Sequence, residues 1–276
     1  MPVNVAERTA ERNADAFTET PLFEALARAG YAARGALYGL IGILSIKLAQ
    51  GQAGPRPNQQ GAMHQIAQQR FGHTLLVLTA IGLGGYAIWR LAQAFIGHTP
   101  EYGEHSKLDR IGAAGSAAAY TAFCVLAISV LRGTAGNSSS TPKKATAGVL
   151  QWPAGRELVA AAGVLFIGIA VYQAYLGLSK KFLEYSKTGQ MSAPVLKLFA
   201  LVGEIGLVAR AVAFALIGVF ALKAARDYTP KDAVGIDGAL ARLLQHSYGT
   251  AALFVVACGL LAFGAYSLAD ARYRRI

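Results

Sequence analysis

The sequence predicts an all-α, polytopic membrane protein whose six transmembrane helices form three tandem two-helix hairpins in a pseudo-threefold bundle. The composition points first in this direction, because 54% of the 276 residues are hydrophobic and only 15% are charged, whereas soluble domains carry roughly 25% charge. Second, the apolar residues are collected in six runs of about 18–22 residues, the length that crosses ~30 Å of hydrocarbon. Third, residue types recur in register between the runs.

Six apolar runs follow one another along the chain and define the predicted helices. They span about 31–48, 75–96, 111–131, 158–178, 199–225 and 251–269. The connectors 51–60 and 133–144 are rich in Gly, Pro, Ser and Asn, a composition typical of loops. The segment 227–237 takes the matching place in the third hairpin.

The first, third and fifth runs repeat the same residue types from a shared glycine onward. A polar residue follows four positions after the glycine, an aromatic residue eight positions after it, and a small residue twelve positions after it. The recurring sets are Gly30, Arg34, Tyr38 and Gly42 in the first run, Gly112, Ser116, Tyr120 and Cys124 in the third, and Gly206, Arg210, Phe214 and Gly218 in the fifth. This agreement in register predicts three copies of one unit.

The second, fourth and sixth runs share a register of their own. Each starts near a glycine and carries an aromatic residue seventeen positions later; the pairs are Gly72 and Trp89, Gly155 and Tyr172, and Gly249 and Tyr266. A Gly-Ala lead-in precedes the second and sixth runs, whereas the fourth has a shorter one. We expect the aromatic residues to anchor the helices at the membrane interface, where Trp and Tyr are enriched. A ring around a central cavity is the alternative.

The repeat divides the chain into three hairpins, expected at 22–98, 107–183 and 199–276, after an N-terminal tail of residues 1–21. The tail mixes acidic and basic residues without an apolar core, which is not the pattern of a signal peptide. Because every hairpin crosses the membrane and returns, successive units have the same orientation about an axis along the membrane normal.

The net charge of +11 resides mainly in connectors and tails, a placement that favours contact with anionic lipid headgroups. No cluster of aromatic residues interleaved with Lys and Arg indicates nucleic-acid binding, so no nucleic acid is expected as a partner. One side of the membrane receives 15 of the 26 basic residues. By the positive-inside rule, we predict a multi-pass protein of the cell inner membrane with both termini in the cytoplasm.

The repeated segments resemble a bacterial six-helix membrane family known as domain-of-unknown-function family 1206. The resemblance runs from about residue 22 to residue 275, and the middle unit matches least well because Ser116 replaces an arginine. It implies the six-helix architecture and no established activity, cofactor or catalytic residue. The segments that carry it are ALARAGYAARGALYGLIG, GYAIWRLAQA, GLVARAVAFALIGVFALKAA, DGALARLLQHSYG and AFGAYSLADARYRR.

Arg34 and Arg210 are the strongest candidate site residues, because they are charged, occupy equivalent repeat positions and lie near the predicted starts of odd helices. A charge within hydrocarbon costs at least about 2.5–3.5 kcal/mol. We expect both guanidinium groups near the cytoplasmic headgroups, where they would contact helix C-terminal carbonyls, the Asp270 carboxylate or lipid phosphates. A site for an anion or a lipid headgroup at Arg34, Arg210 and Asp270 is the functional interpretation.

The remaining polar residues favour simpler roles. Lys47 and Lys223 are expected to reach water at helix C-termini. Glu204 aligns with Arg28 and Arg110, so the position requires polarity rather than one sign of charge; a proton relay at Glu204 is the alternative. The two cysteines, Cys124 and Cys258, are interpreted as packing residues in apolar runs.

The histidines lie in connectors or near helix starts, which argues against axial ligation of a haem inside the bundle. One polar loop, with His98, Glu101, Glu104 and His105, has metal-ligand residue types, but a solvated loop is the favoured interpretation. No metal and no cofactor are predicted.

No nucleophile–base set, paired carboxylates or phosphate-binding loop is visible, so we do not expect an enzyme. The favoured function is a non-enzymatic membrane scaffold that binds lipids or a protein partner. A homo-oligomer remains an alternative, since Gly35 and Gly39 form a GxxxG pair. The rival function is a small-solute or ion pathway, a transporter or channel, along the pseudo-threefold axis.

Overall fold

The computed structural model describes residues 20–96, 98–99, 103–104, 107–136 and 140–275. Within these ranges the regular structure is α-helical apart from short 3-10 helices and a two-residue antiparallel strand pair, β1 (His98–Thr99) and β2 (Gly103–Glu104). The α-helices are α1 (Pro21–Ala49), α2 (Gln59–Ala67), α3 (Gly72–Ile96), α4 (Lys107–Leu131), α5 (Thr141–Leu150), α6 (Gly155–Leu178), α7 (Ala193–Arg226), α8 (Ile236–Leu243) and α9 (Gly249–Tyr273).

Six of the helices, α1, α3, α4, α6, α7 and α9, are long and apolar enough to cross a membrane. This confirms the predicted six-helix membrane architecture. The helices end within a few residues of the ends of the predicted apolar runs, but several begin earlier. The largest extensions are at α1, which starts at Pro21, and at α7, which starts at Ala193 and has a proline in its first turn. Proline is tolerated in a first turn because the N–H that it lacks has no intrahelical acceptor there.

Neighbouring repeats pack through three equivalent helix pairs, α3 with α4, α6 with α7, and α9 with α1. The same repeat position makes a close contact in each pair. A Cβ on Gly42 would lie 3.0 Å from the Ala257 carbonyl oxygen, and a Cβ on Gly218 would lie 2.8 Å from the carbonyl oxygen of Gly163. In the third pair, the Cys124 thiol donates to the carbonyl of Ala80 at 3.3 Å. Small residues therefore allow close backbone approach at all three interfaces.

A second repeated contact caps the even helices. Arg28 on α1 donates to the carbonyl of Ala271 at 2.7 Å, in the last turn of α9. Arg110 on α4 donates to the carbonyl of Ala94 at 2.9 Å, in the last turn of α3. The last carbonyls of a helix have no intrahelical donor and carry partial negative charge, so an arginine of the next repeat satisfies them. The predicted tandem arrangement of hairpins about a common axis therefore extends to individual hydrogen bonds.

The two outer hairpins are closed, but the middle hairpin is open. A Cβ on Gly30 would collide with Tyr86 in the first hairpin, and a Cβ on Gly206 would collide with Phe263 at the equivalent place in the third. A Cβ on the equivalent Gly112 would meet nothing within 4 Å in the part of the chain that the structure describes. Within the described ranges, α4 and α6 share no extended packing. The helices therefore follow one another around the axis in the order α4, α3, α1, α9, α7, α6, with an opening between α4 and α6.

The even helix of the middle repeat explains the opening. Gly82 and Gly259 let the odd and even helices of the outer hairpins approach closely, because their Cβ positions are filled by the neighbouring backbone and by Ala209. The equivalent residue of α6 is Leu165, whose side chain is 62% exposed. A leucine at this position keeps the helices apart, since close crossings in membranes need small residues.

Each repeat also has a short helix before its even spanning helix, α2, α5 or α8. The sequence analysis expected only a reduced lead-in in the middle repeat and a loop at 133–144, but α5 covers Thr141–Leu150. Side chains at Gly72, Gly155 and Gly249 would collide with the backbone of the short helices' final turns. The repeated glycines thus permit a tight helix–turn–helix connection, which the composition of the middle connector concealed.

Candidate functional site

Arg34 lies deep within the bundle, with 6% of its surface exposed. Its Nε donates to Ser267 Oγ at 3.2 Å, and its Nη1 donates to Tyr86 Oη at 3.2 Å. Its Nη2 is 3.5 Å from Asp270 Oδ2, one of the acceptors expected from the sequence. The guanidinium also lies 4.5 Å from the centroid of the Tyr31 ring, within cation–π range. Groups of the protein therefore compensate the charge of Arg34.

Asp270 is almost fully buried, with 1% of its surface exposed. Its Oδ2 is 3.6 Å from Arg274 Nη1 as well as near Arg34, and neither carboxylate oxygen accepts a hydrogen bond from the described residues. One carboxylate thus faces two guanidinium groups through ion pairs longer than a charge-assisted hydrogen bond. The backbone of Tyr273 holds this end of α9 in place by accepting from the Lys187 amide at 2.7 Å.

Arg90 adds a third guanidinium that the sequence analysis missed. Its Nη2 donates to Tyr86 Oη at 2.8 Å, the hydroxyl that Arg34 also contacts, and its Nη1 donates to Gln93 at 3.1 Å. A signal was present in the repeat, because Arg90, Gln173 and Ser267 stand at one register position, directly after the aligned aromatic residues. All three are polar in otherwise apolar helices.

Arg210, the equivalent of Arg34 in the third repeat, has different surroundings. Its Nε donates to Tyr38 Oη at 3.2 Å. Its guanidinium lies 4.9 Å from the ring centroids of both Phe214 and Phe263. No carboxylate of the described chain lies within ion-pair distance of it. Aromatic faces and one hydroxyl therefore make the contacts of this charge, and a carboxylate partner like that of Arg34 is lacking among the described residues.

The sequence predicted that both arginines lie near helix starts at headgroup level. The position near a helix start is wrong for Arg210, and the level relative to the headgroups stays a prediction. Because α7 begins at Ala193, Arg210 lies midway along it, thirteen residues from Lys197 and thirteen from Lys223. At 1.5 Å per residue, each lysine is about 20 Å away along the helix. Arg34 likewise lies well inside α1, which begins at Pro21. The apolar runs alone underestimated how far the helices extend on this side.

Glu204 is part of a half-exposed ion pair rather than a buried relay. Its carboxylate is 3.4 Å from Lys180 Nζ, which follows the end of α6. This is the place where arginines cap the even helices in the other repeats, so a lysine on the partner segment restores the missing positive charge. Lys223 similarly lies 3.7 Å from Asp232, and Lys47 lies in the last turn of α1.

The aligned aromatic residues do not all lie on the outer surface of the bundle, where they could anchor it in the membrane. Trp89 and Tyr266 are buried inside the outer hairpins, at 4% and 3% exposure. Tyr172, at the same position in the middle hairpin, is 50% exposed because α4 does not cover it. The expectation of interfacial anchoring is therefore wrong for the two outer residues, whose rings fill the core between helices.

Other predicted features have simple locations. Both cysteines are free thiols; Cys124 packs between helices and Cys258 is exposed on α9. The described part of the chain contains no group of three His, Cys, Asp or Glu residues positioned to hold a metal. Glu101 and His105 of the polar loop lie outside the described residues, as does most of the N-terminal tail.

The location of the arginines also changes the charge count on which orientation depends. Arg34, Arg90 and Arg210 lie within spanning helices, yet they belong to the 15 basic residues assigned to one side. Without them the two sides carry 12 and 11. Orientation therefore stays a prediction.

The described bundle interior contains more guanidinium groups than carboxylates, and these guanidinium groups lie among tyrosine hydroxyls and aromatic rings. It offers hydrogen bond donors and positive charge, and Asp270 is the buried acid that the described residues place among them. Such a set fits an anion better than it fits a cation or a proton pathway.

Comparison with known proteins supports the repeat. The model of the family described as Domain of Unknown Function (DUF1206) matches three times, at residues 29–97, 111–180 and 205–274. An uncharacterized protein of Bacillus subtilis (strain 168), YxxB, is 33% identical over 258 residues, which cover 93% of each chain. No solved structure matches the chain.

Proposed function

The chain belongs to the DUF1206 family, and from that premise we propose that it is a non-enzymatic lipid-binding protein of the cell inner membrane. The lipid occupies the opening of the middle hairpin, between α4 and α6. Both termini lie in the cytoplasm, the side to which the basic residues of the connectors and tails are assigned.

The observation that carries this proposal is a set of glycines without neighbours on the facing sides of the opening. Among the described residues, none lies within 4 Å of where a Cβ would stand on Gly112 and Gly115 of α4 and on Gly168 of α6. The equivalents of Gly112 and Gly168 in the first hairpin, Gly30 and Gly85, are packed against the opposite helix. The two helices of the middle hairpin thus keep the glycines of a packing surface, but they do not pack against each other.

A lipid fits this surface because the opening lies between spanning helices and is lined by apolar side chains and glycines. Leu165 and Tyr172 face it at 62% and 50% exposure, and bilayer acyl chains are the apolar molecules present at this depth. The nearby positive charge of Arg210 complements an anionic lipid. A second copy of the chain would have to insert a helix into the gap.

The rival function, a small-solute or ion pathway along the axis, receives less support. Arg34 is 6% exposed and is hydrogen-bonded to protein groups, whereas charges along a conducting path face water. Catalysis is not part of the proposal, because the sequence carries no nucleophile–base set.

The test fills the opening and measures bound lipid. The double variant Gly112→Leu/Gly115→Leu is purified in mild detergent, and lipids retained on the protein are counted by native mass spectrometry. We expect it to retain fewer lipids than the native chain. Gly39→Leu is the matched control, since Gly39 also has open space at its Cβ position and lies one turn from the outward-facing Ile43.

Two results would contradict the proposal. Unchanged lipid retention in the double variant would show that the opening is not the lipid site. A native dimer that the double variant converts to a monomer, with no change in lipid, would assign the opening to a second copy of the chain.

A further inference from the structure

The unpaired charge of Arg210 has a second polar group near it. Gln173 on α6 is 6% exposed, and among the residues that the structure describes neither its amide nitrogen nor its amide oxygen has a hydrogen bond partner. Leaving such an amide buried and unpaired costs about 1–3 kcal/mol per group. A buried, unpaired amide inside an apolar helix is therefore expected to have a ligand.

The register of α6 and α7 places Gln173 level with Arg210. These helices are antiparallel; Gly163 approaches Gly218, and Gly177 approaches Leu207. Gln173 lies between the two contacts, opposite the turn of α7 that carries Arg210. It also occupies the repeat position of Ser267, whose hydroxyl accepts from Arg34 in the equivalent interface.

Arg210 and Tyr38 belong to helices that share no extended packing within the described ranges. Their hydrogen bond joins α7 to α1 across the bundle. Tyr120 on α4, a helix that borders the opening, is buried and packs against the Tyr86 ring with 4.3 Å between the ring centroids. A half-buried cation and a hydroxyl therefore meet inside the bundle, and the amide of Gln173 lies level with them on α6, one of the two helices that border the opening.

We propose that the guanidinium of Arg210, with the Tyr38 hydroxyl and the Gln173 amide, binds the carboxylate of a long-chain fatty acid whose acyl chain lies in the opening of the middle hairpin. This inference rests on the proposed lipid binding and specifies its ligand. The donors match a carboxylate, because a guanidinium fork engages two oxygens at once. Asp270 fulfils this role for Arg34; the ligand supplies the equivalent carboxylate to Arg210.

Depth selects a fatty acid over a phospholipid. Arg210 lies about 20 Å along α7 from each of Lys197 and Lys223, near the middle of the span. A carboxylate at the end of a single acyl chain is a compact lipid anion. A phospholipid would have to bring its glycerol backbone and second chain from the interface to the same depth.

The experiment compares two ligands and matched variants of the full-length, delipidated protein. Oleate and its methyl ester share an acyl chain, but only oleate has a carboxylate. We expect oleate to bind the native chain about tenfold or more tightly than the ester, the effect of a hydrogen bond to a charged group. Arg210→Gln should remove that preference because it weakens oleate binding far more than ester binding, and Gln173→Leu should reduce the preference. Lys197→Gln, a neutralised exposed charge on the same helix, should keep it.

Several outcomes would overturn the inference. Equal affinity for oleate and methyl oleate on the native chain would do so without any variant, so the test does not depend on Arg210→Gln folding. Full oleate preference in a folded Arg210→Gln variant would exclude Arg210. Displacement of oleate by an equal concentration of phosphatidylglycerol would assign the site to a phosphodiester.

Different results would contradict lipid binding in the opening and carboxylate recognition by Arg210. If both ligands bind with equal affinity and Gly112→Leu/Gly115→Leu abolishes both, the opening holds lipid but Arg210 does not recognise its headgroup. If neither ligand binds the native chain and no lipid is retained, lipid binding itself is excluded.

Discussion

At the scale of residues, one repeat position has three different solutions. Arg34 is paired with a buried carboxylate, Arg210 lies among aromatic rings, and Ser116 in the middle unit has no charge at all. A buried ion pair gives little net stability, but removing one member leaves an uncompensated charge. Asp270 is the most sensitive case, because two guanidinium groups depend on it.

Asp270→Asn should destabilise the protein by about 3–5 kcal/mol, since Arg34 and Arg274 would keep their charges without the carboxylate. The thermal midpoint in detergent is the measurement. Asp232→Asn is the matched control: Asp232 also faces two cations, Lys223 and Arg242, but outside the spanning helices, where ion pairs contribute only about 0–1 kcal/mol. Equal shifts for both variants would contradict the assigned role.

Arg34→Ala should lower stability by about 1–3 kcal/mol through the lost charge-assisted hydrogen bonds. Arg34→Lys should recover only part of that loss, because an ammonium group cannot reach Ser267, Tyr86 and Asp270 with the geometry of a planar fork. The same thermal midpoints report both variants, and full recovery by lysine would show that charge alone matters.

At the scale of elements, the three hairpins differ in closure although their glycines look alike. The inter-repeat interfaces use equivalent small residues, and this equivalence extends to the arginine caps of Arg28 and Arg110. The difference arises inside the hairpins, where Leu165 stands in place of a glycine. A single bulky residue at a crossing point changes which helix pairs can form.

Gly30→Leu should cost about 1–3 kcal/mol or prevent folding, because overpacking against Tyr86 displaces α3. Gly112→Leu, the same change at the equivalent position, should be tolerated because its Cβ faces open space. Fluorescence-detected size exclusion after heating gives the comparison. Similar behaviour of the two variants would mean that the middle hairpin closes as the outer ones do.

The sequence predicted the elements well and the opening not at all. The apolar runs located the C-terminal end of each spanning helix to within a few residues, because the thickness of the hydrocarbon sets the length of an apolar run. The opening depends on which residue faces Gly112, and that information lies in a different helix, α6. Likewise, Asp270 was identified as a partner of Arg34, but the neighbours of Arg210 and the unpaired Gln173 required the helix register.

At the scale of the whole molecule, orientation rests on a narrow charge difference. Single cysteines introduced in a background with Cys124→Ala and Cys258→Ala would report it. A cysteine at position 136 should react with an impermeant thiol reagent from the periplasmic side, and one at position 187 only after the membrane is opened. The opposite pattern would reverse the predicted topology.

The background itself is expected to fold normally. Cys124 contributes one weak thiol hydrogen bond to Ala80, and Cys258 is exposed on α9. A shift of the thermal midpoint beyond the effect of about 1 kcal/mol would indicate that one thiol is more than a packing group.

The interface between α9 and α1 indicates that the chain should tolerate circular permutation. It repeats the contacts of the other two inter-repeat interfaces, yet no peptide connector crosses it, because it joins the last repeat to the first. Connectors are therefore not what assembles the repeats. A circular permutant that starts at residue 107, with residue 275 joined to residue 20 through a short Gly-Ser linker, should insert and reach a similar thermal midpoint. Aggregation of the permutant would show instead that the native chain order guides assembly.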